Sequence, residues 1–284
     1  MNRTRVVNGI FVVLLMALAH VSGLAQETKE PYLEAAQRAG EAMRKGDLSA
    51  AIELYTEAVN LFPKNDAYTP KNRKIKLADG KFIETPYTGL ESLYWSRGAV
   101  YLSRRNMKEA EIDFANALTV LKYDTAKNIE KAKSLRRRAD IKKERENGRS
   151  TIYNSDLARS AFDFGVALDT CRKAKYFNQK RRRFYQELKM PLAPEEQNIR
   201  GFDEIVKYEE AAIFGRTEAQ ATLMIEVENK AYAFWALKSA NEFIAAFPGN
   251  VEAYRLRARI NRYSGREADA AADDQKAGQL SGQK

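Results

Sequence analysis

The residues able to do chemistry are scarce in one class and crowded in another. The 284-residue chain has one histidine, His20, and one cysteine, Cys171. A Ser–His or Cys–His nucleophile with its orienting partners, or a thiolate metal cluster, needs more than the chain supplies once His20 falls inside an N-terminal leader. The paired carboxylates Glu209–Glu210 and Asp273–Asp274 are adjacent in sequence, so on helices they project from different faces. The sequence has no glycine-rich phosphate loop. These absences predict a protein that is not an enzyme and holds no metal or cofactor. Cations are in excess instead, with Lys+Arg 48 against Asp+Glu 38 and a formal net charge of +10. Arg255, Arg259 and Arg262 lie four and three residues apart, on one stripe of a helix, and guanidinium forks suit carboxylates. Lys180, Arg181, Arg182 and Arg183, beside Phe177, Phe184 and Tyr185, have the aromatic interleaving of single-strand and polyanion binders.

Helix-period patterns must position these groups. Tyr94-x-x-Arg97-Gly98-x-x-Tyr101 is followed by Ala110-x-x-x-Phe114-x-x-Ala117-Leu118, two short amphipathic segments broken near Arg105-Asn106. Ala51-x-x-x-Tyr55-x-x-Ala58 before Pro63 repeats the second segment, as does Ser160-x-x-Asp163-Phe164-x-x-Ala167-Leu168. Ser155-Asp156-Leu157 mirrors the turn Gly46-Asp47-Leu48. Ala236 to Pro248 keeps the separation of Ala51 to Pro63, and Tyr254, Ala258, Gly265, Ala270 and Ala277 match Tyr94, Gly98, Arg105, Ala110 and Ala117.

A pattern of about 34 residues with these small and aromatic positions resembles the tetratricopeptide repeat (TPR) family, with Arg97 where leucine is usual and Lys122 where proline is usual. The resemblance implies an all-α fold, a TPR-like α-solenoid: a right-handed superhelix of helix–turn–helix repeats at about 32–65, 91–124, 141–174, 217–250 and 251–284. Three insertions separate them. Residues 66–90 carry Asp79-Gly80 between short alternating segments, which predicts a β-hairpin. Residues 125–140 read as a charged helical extension. Residues 175–216 hold a turn at Met190–Pro194 and a helix beginning near Asp203. Asp274 stands where Tyr55, Phe114 and Phe164 stand earlier, as suits a terminal helix facing water.

In the family, the concave face built by the first helix of each repeat binds peptide segments, so the resemblance implies a scaffold or adaptor. Its register puts Trp95, Lys142, Arg145, Arg149, Arg255, Arg259 and Arg262 on that face, which predicts a groove for an acidic or carboxylate-bearing peptide with Trp95 as anchor. A solvated basic face balanced by Glu252, Glu267 and Asp269 is the plainer account of the same stripe. The alternative function is binding of a polyanion or an anionic membrane surface through the net-basic stretches 122–149 and 172–189. Export argues against a nucleic-acid partner.

Export is read from the N-terminus. Arg3 and Arg5 precede an apolar run from Ile10 to Ala19 and the small-residue site Gly23-Leu24-Ala25. This predicts a signal peptide over 1–25, cleaved after Ala25, and a periplasmic or secreted chain over 26–284. An uncleaved anchor is the other reading, although the run is short for a bilayer span. Losing Arg3 and Arg5 takes the formal net charge from +10 to +8. Cys171 then has no intramolecular partner and reads as a small buried hydrophobe.

Overall fold

The structure, a computed structural model, describes residues 30–62, 73–77, 80–85, 89–145 and 151–282. The leader, Pro63, Asp79 and Arg149 lie outside the described residues. Among the described residues the chain is all-α apart from one hairpin: α1 (Pro31–Arg44), α2 (Leu48–Leu61), α3 (Leu90–Ser103), α4 (Met107–Arg145), α5 (Thr151–Glu187), α6 (Phe202–Ile225), α7 (Ala233–Ala246), α8 (Val251–Tyr263) and α9 (Glu267–Ser281). The hairpin pairs β1 (Arg73–Lys76) with β2 (Phe82–Thr85) antiparallel, Arg73 opposite Thr85 and Lys76 opposite Phe82. Its turn closes through a 2.8 Å bond from the Leu77 amide to the Lys81 carbonyl, and Gly80 takes the positive φ of +86° that the turn requires.

Neighbours in sequence pack on one another: α1 on α2, α2 on α3, α7 on α8 and α8 on α9. Two compact units result. One comprises the chain up to Tyr123 together with Lys173–Asp203; the other comprises Asp124–Arg172 with Glu204–Lys284. The first has a core that includes Ala39, Ala51, Tyr55, Leu90, Val100 and Phe114. The second is built around Phe164, Leu168, Ile213, Phe243 and Leu256.

Three helical hairpins, α1–α2, α3–α4 and α8–α9, turn in the same way. Gly46, Arg105 and Gly265 adopt φ of +80°, +61° and +73°. The amides of Asp47, Asn106 and Arg266 each donate to a carbonyl five residues back, on Ala42, Tyr101 and Asn261, at 3.0, 2.9 and 2.9 Å. This is the Schellman closure of a helix C-terminus, which satisfies carbonyls that would otherwise lack donors. Arg105 is the one non-glycine of the three, and a side chain there costs energy in the left-handed region. Arg105→Gly is expected to raise stability by roughly 1 kcal/mol, read as a higher urea midpoint with unchanged slope.

Two of these hairpins share an interior ion pair. Arg97 donates from Nε and Nη2 to both oxygens of Asp113, each at 2.8 Å, and Asp113 is buried. Arg257 does the same to Asp273 at 2.9 and 2.6 Å. The guanidiniums lie 5.6 Å from the Tyr94 ring and 6.0 Å from the Tyr254 ring. The remaining nitrogen of each reaches back to the previous helix, Arg97 to Thr56 at 3.2 Å and Arg257 to Asn241 at 2.9 Å. Arg97 is satisfied inside the hairpin because the buried Asp113 carboxylate sits opposite. Burial lowers the Arg97 pKa, and the Asp113 hydrogen bond and charge outweigh it, so the net shift is upward.

Residues 141–174 do not fold as the expected repeat. Ser155-Asp156-Leu157 is not a turn but lies inside α5, and the helix that pairs with the first half of α5 is the second half of α4. Lys131 meets Asp163 at 3.0 Å, the Ser160 hydroxyl donates to the Ala132 carbonyl at 2.8 Å, and Arg138 clamps Asp156. Residues 125–140 are therefore one arm of a long antiparallel helix pair. Lys122 keeps the backbone amide that a proline there would have removed, and α4 runs on for 39 residues. Near Pro248, by contrast, α7 ends at Ala246. The expected turn after α5 and the helix near Asp203 are present, as the loop 188–201 and α6.

Candidate functional site

The arginine stripe forms as the spacing predicts. Ala253, Tyr254, Leu256, Ala258 and Ile260 turn the apolar side of α8 inward, leaving Arg255 and Arg262 exposed and Arg259 half-buried. Each already faces a carboxylate: Arg255 meets Glu252 at 2.6 Å, Arg259 meets Glu226 at 3.5 Å and Arg262 meets Asp274 at 2.5 Å. The field they could offer a partner is largely cancelled. The side chains of Lys142 and Arg145, near the end of α4, lie with Arg149 outside the described residues.

Trp95 is a correction. Expected on an open face, it is 5% exposed. Its indole stacks on Phe177 at 4.3 Å between centroids and leans on Phe114 at 4.7 Å. The second half of α5 covers the face of α3 that the repeat register leaves open, tied there by Lys173, whose ammonium reaches Glu91 at 2.6 Å and Ser92 at 3.1 Å. Trp95 is a core residue.

The quartet Lys180–Arg183 is a second correction, because four consecutive helical residues point in four directions. Arg181 is 2% exposed. Its Nε donates to Glu111 at 2.7 Å and its Nη1 to the Glu196 carbonyl at 2.8 Å. Arg182 donates to the Gln197 carbonyl at 2.7 Å. Asn178 accepts from the Ile199 amide at 2.9 Å, so these three side chains pin the loop before α6. Tyr185 donates to Glu111 at 2.7 Å, and burial followed by that carboxylate raises its phenol pKa. Lys180 stands 5.5 Å from the Tyr176 ring, and Arg183 is exposed. The residues do not make one continuous cationic patch. Cys171 is buried as expected, its Sγ 3.7 Å from the Ile205 carbonyl.

A groove between α4 and α5 was not foreseen. It encloses about 590 Å³. Leu135, Ala158 and Phe162 give it an apolar lining, and Lys131, Arg138 and Arg159 bring cations to it. Phe162 is 70% exposed, the largest exposure among the large apolar side chains described. Lys131 and Arg138 are held by the buried carboxylates of Asp163 and Asp156, which fixes their stems along the groove. Asp163 Oδ2 has no hydrogen-bond partner among the described residues. The signal in the sequence was phase: Leu157, Ser160, Ala161, Phe164, Ala167 and Leu168 form the inward stripe of α5, and Phe162 is off it. A second groove at the start of α8 mixes Phe247 and Val251 with Glu210, Asn250 and Arg255, and its polar groups are self-paired, since Asn250 both caps Ala253 and donates to Glu210.

No protein-family model matches the chain, and no curated protein matches its sequence. Among the described residues, no group of three His, Cys, Asp or Glu side chains is arranged to hold a metal ion, and no helix is long and apolar enough to cross a membrane.

Proposed function

We propose that the chain is a non-catalytic protein–protein interaction scaffold, an exported TPR-like α-solenoid that holds a partner peptide in the groove between α4 and α5. One observation carries the functional reading: a phenylalanine left 70% exposed beside a cation-flanked apolar groove. Exposing a large aromatic side chain forfeits burial energy, and aromatic anchors surrounded by charge are typical of peptide-docking sites. The solenoid reading is supported by the three identical turns and by the Tyr–Arg–Asp arrangement shared by two hairpins, whose arginines each reach back to the preceding helix. Stacked repeats need such contacts between neighbours, since a single helix pair cannot bury its own apolar face. The Arg255–Arg262 stripe contributes less, being paired with carboxylates of the same chain.

The groove asks for a segment with an apolar side chain against Phe162 and a carboxylate for Arg159. Panning a random peptide display library against the purified chain is expected to enrich such segments. Enrichment that is equal on Phe162→Ser would remove the groove from the account. Export is carried by the leader sequence. Mass spectrometry of the chain from its native host is expected to find a mature N-terminus at Gln26, and a retained leader would contradict cleavage.

A further inference from the structure

Phe234 and Trp235 open α7 with exposures of 67% and 50%. Their rings meet edge to face, 5.2 Å between centroids at 78°. The helix buries Ala236, Ser239, Ala240 and Phe243, so the aromatic pair points away from its packed side. The fold does not require aromatics there. At the same two places before the buried alanine, α2 has Ser49-Ala50, α4 has Lys108-Glu109 and α9 has Ala268-Asp269. Neither ring lines either groove described above. One turn further on, the Lys238 ammonium stands 5.4 Å from the Trp235 ring.

We propose that Phe234, Trp235 and Lys238 form a docking point for an anionic lipid surface. A protruding Trp–Phe pair suits a fluid interface, where an amphipathic indole settles at headgroup depth and no complementary shape is needed. A lysine one turn away lays its stem along the indole and its ammonium among headgroup phosphates. The formal net charge of +8 left after the leader, Lys+Arg 48 less Arg3 and Arg5 against Asp+Glu 38, is complementary to such a surface and supplies the second attraction that a small apolar anchor requires. The docking point is independent of the peptide groove, so each can fail without the other.

The test uses the mature chain from Gln26 onward and vesicles of equal parts phosphatidylcholine and phosphatidylglycerol. The chain has two tryptophans, and Trp95 is buried, so emission changes report Trp235. Vesicles are expected to shift Trp235 emission to the blue, and brominated acyl chains to quench it. Phe234→Ser with Trp235→Ser is expected to weaken cosedimentation about 10-fold or more, with an unchanged melting midpoint, while Phe162→Ser leaves cosedimentation intact. Four results would overturn the proposal. The unmodified chain could ignore the vesicles. It could bind them without bromine quenching, or equally well after the double substitution, as a purely electrostatic contact would. Or the double substitution could abolish self-association or a protein crosslink in a chain that ignores lipid, which would assign the patch to a second copy or a protein partner. Bromine quenching of the unmodified chain decides the matter even if the double variant fails to fold.

Discussion

Asp113→Ala is expected to cost about 3 kcal/mol, because it strands a guanidinium in the core. The Arg97 side chain is 15% exposed and its fork is matched to both Asp113 oxygens. Water cannot fully replace that carboxylate, whereas in the unfolded chain Arg97 is hydrated either way. The equivalent Asp273→Ala is expected to cost less, since the Arg257 side chain is 28% exposed and more open to water. Adding Arg97→Leu to Asp113→Ala is expected to recover most of the loss, as replacing both members of a buried pair by apolar groups commonly does. Urea denaturation of the three variants and the unmodified chain checks the order. Equal losses at Asp113 and Asp273, or no recovery in the double variant, would mean that the buried pair does not hold the hairpin.

Gly215→Leu is expected to destabilise by ~1–3 kcal/mol through overpacking. A Cβ at Gly215 would sit 2.4 Å from the Phe164 ring, which is itself core. Gly98 stands in the same relation to Phe114, at 2.9 Å, so Gly98→Leu should lose stability too. Gly278 has nothing within 4 Å of a Cβ and lies exposed inside α9. Gly278→Ala is therefore expected to add up to ~1 kcal/mol, from helix propensity alone. Thermal or urea midpoints that do not separate Gly215 from Gly278 would show that the Phe–Gly contact is not tight.

The contrast between these positions explains what could be read in the sequence. Helical spacing of Ala51, Tyr55, Ala110, Phe114, Ala236 and Ala270 located second helices correctly, because small residues at close helix crossings leave a periodic trace. The Asp-Gly signal located the hairpin, and Pro248 the end of α7. The third repeat failed for a reason equally visible at one residue: without a proline at Lys122, α4 continues, and its arm displaces the register by pairing with α5. Trp95 and Arg181 failed together. Repeat register says which face of one helix is turned from its hairpin partner, not whether a later segment covers it. Here the end of α5 covers both α3 and the Glu111 face of α4. Charge runs likewise mislead on a helix, since Arg181 enters the core while Arg183 faces water. Phe162, Phe234 and Trp235 were legible in principle as apolar residues out of phase, but phase needs the true inward stripe as reference.

The central claim is that a peptide with an apolar side chain beside a carboxylate docks on Phe162 between α4 and α5. Isothermal titration of the best displayed peptide against the unmodified chain, Phe162→Ser, Arg159→Glu and Arg183→Glu tests it directly. Loss of about 10-fold or more in affinity for Phe162→Ser and Arg159→Glu, with Arg183→Glu unchanged, is the predicted result. Undiminished affinity in Phe162→Ser, or loss confined to Arg183→Glu, would contradict it.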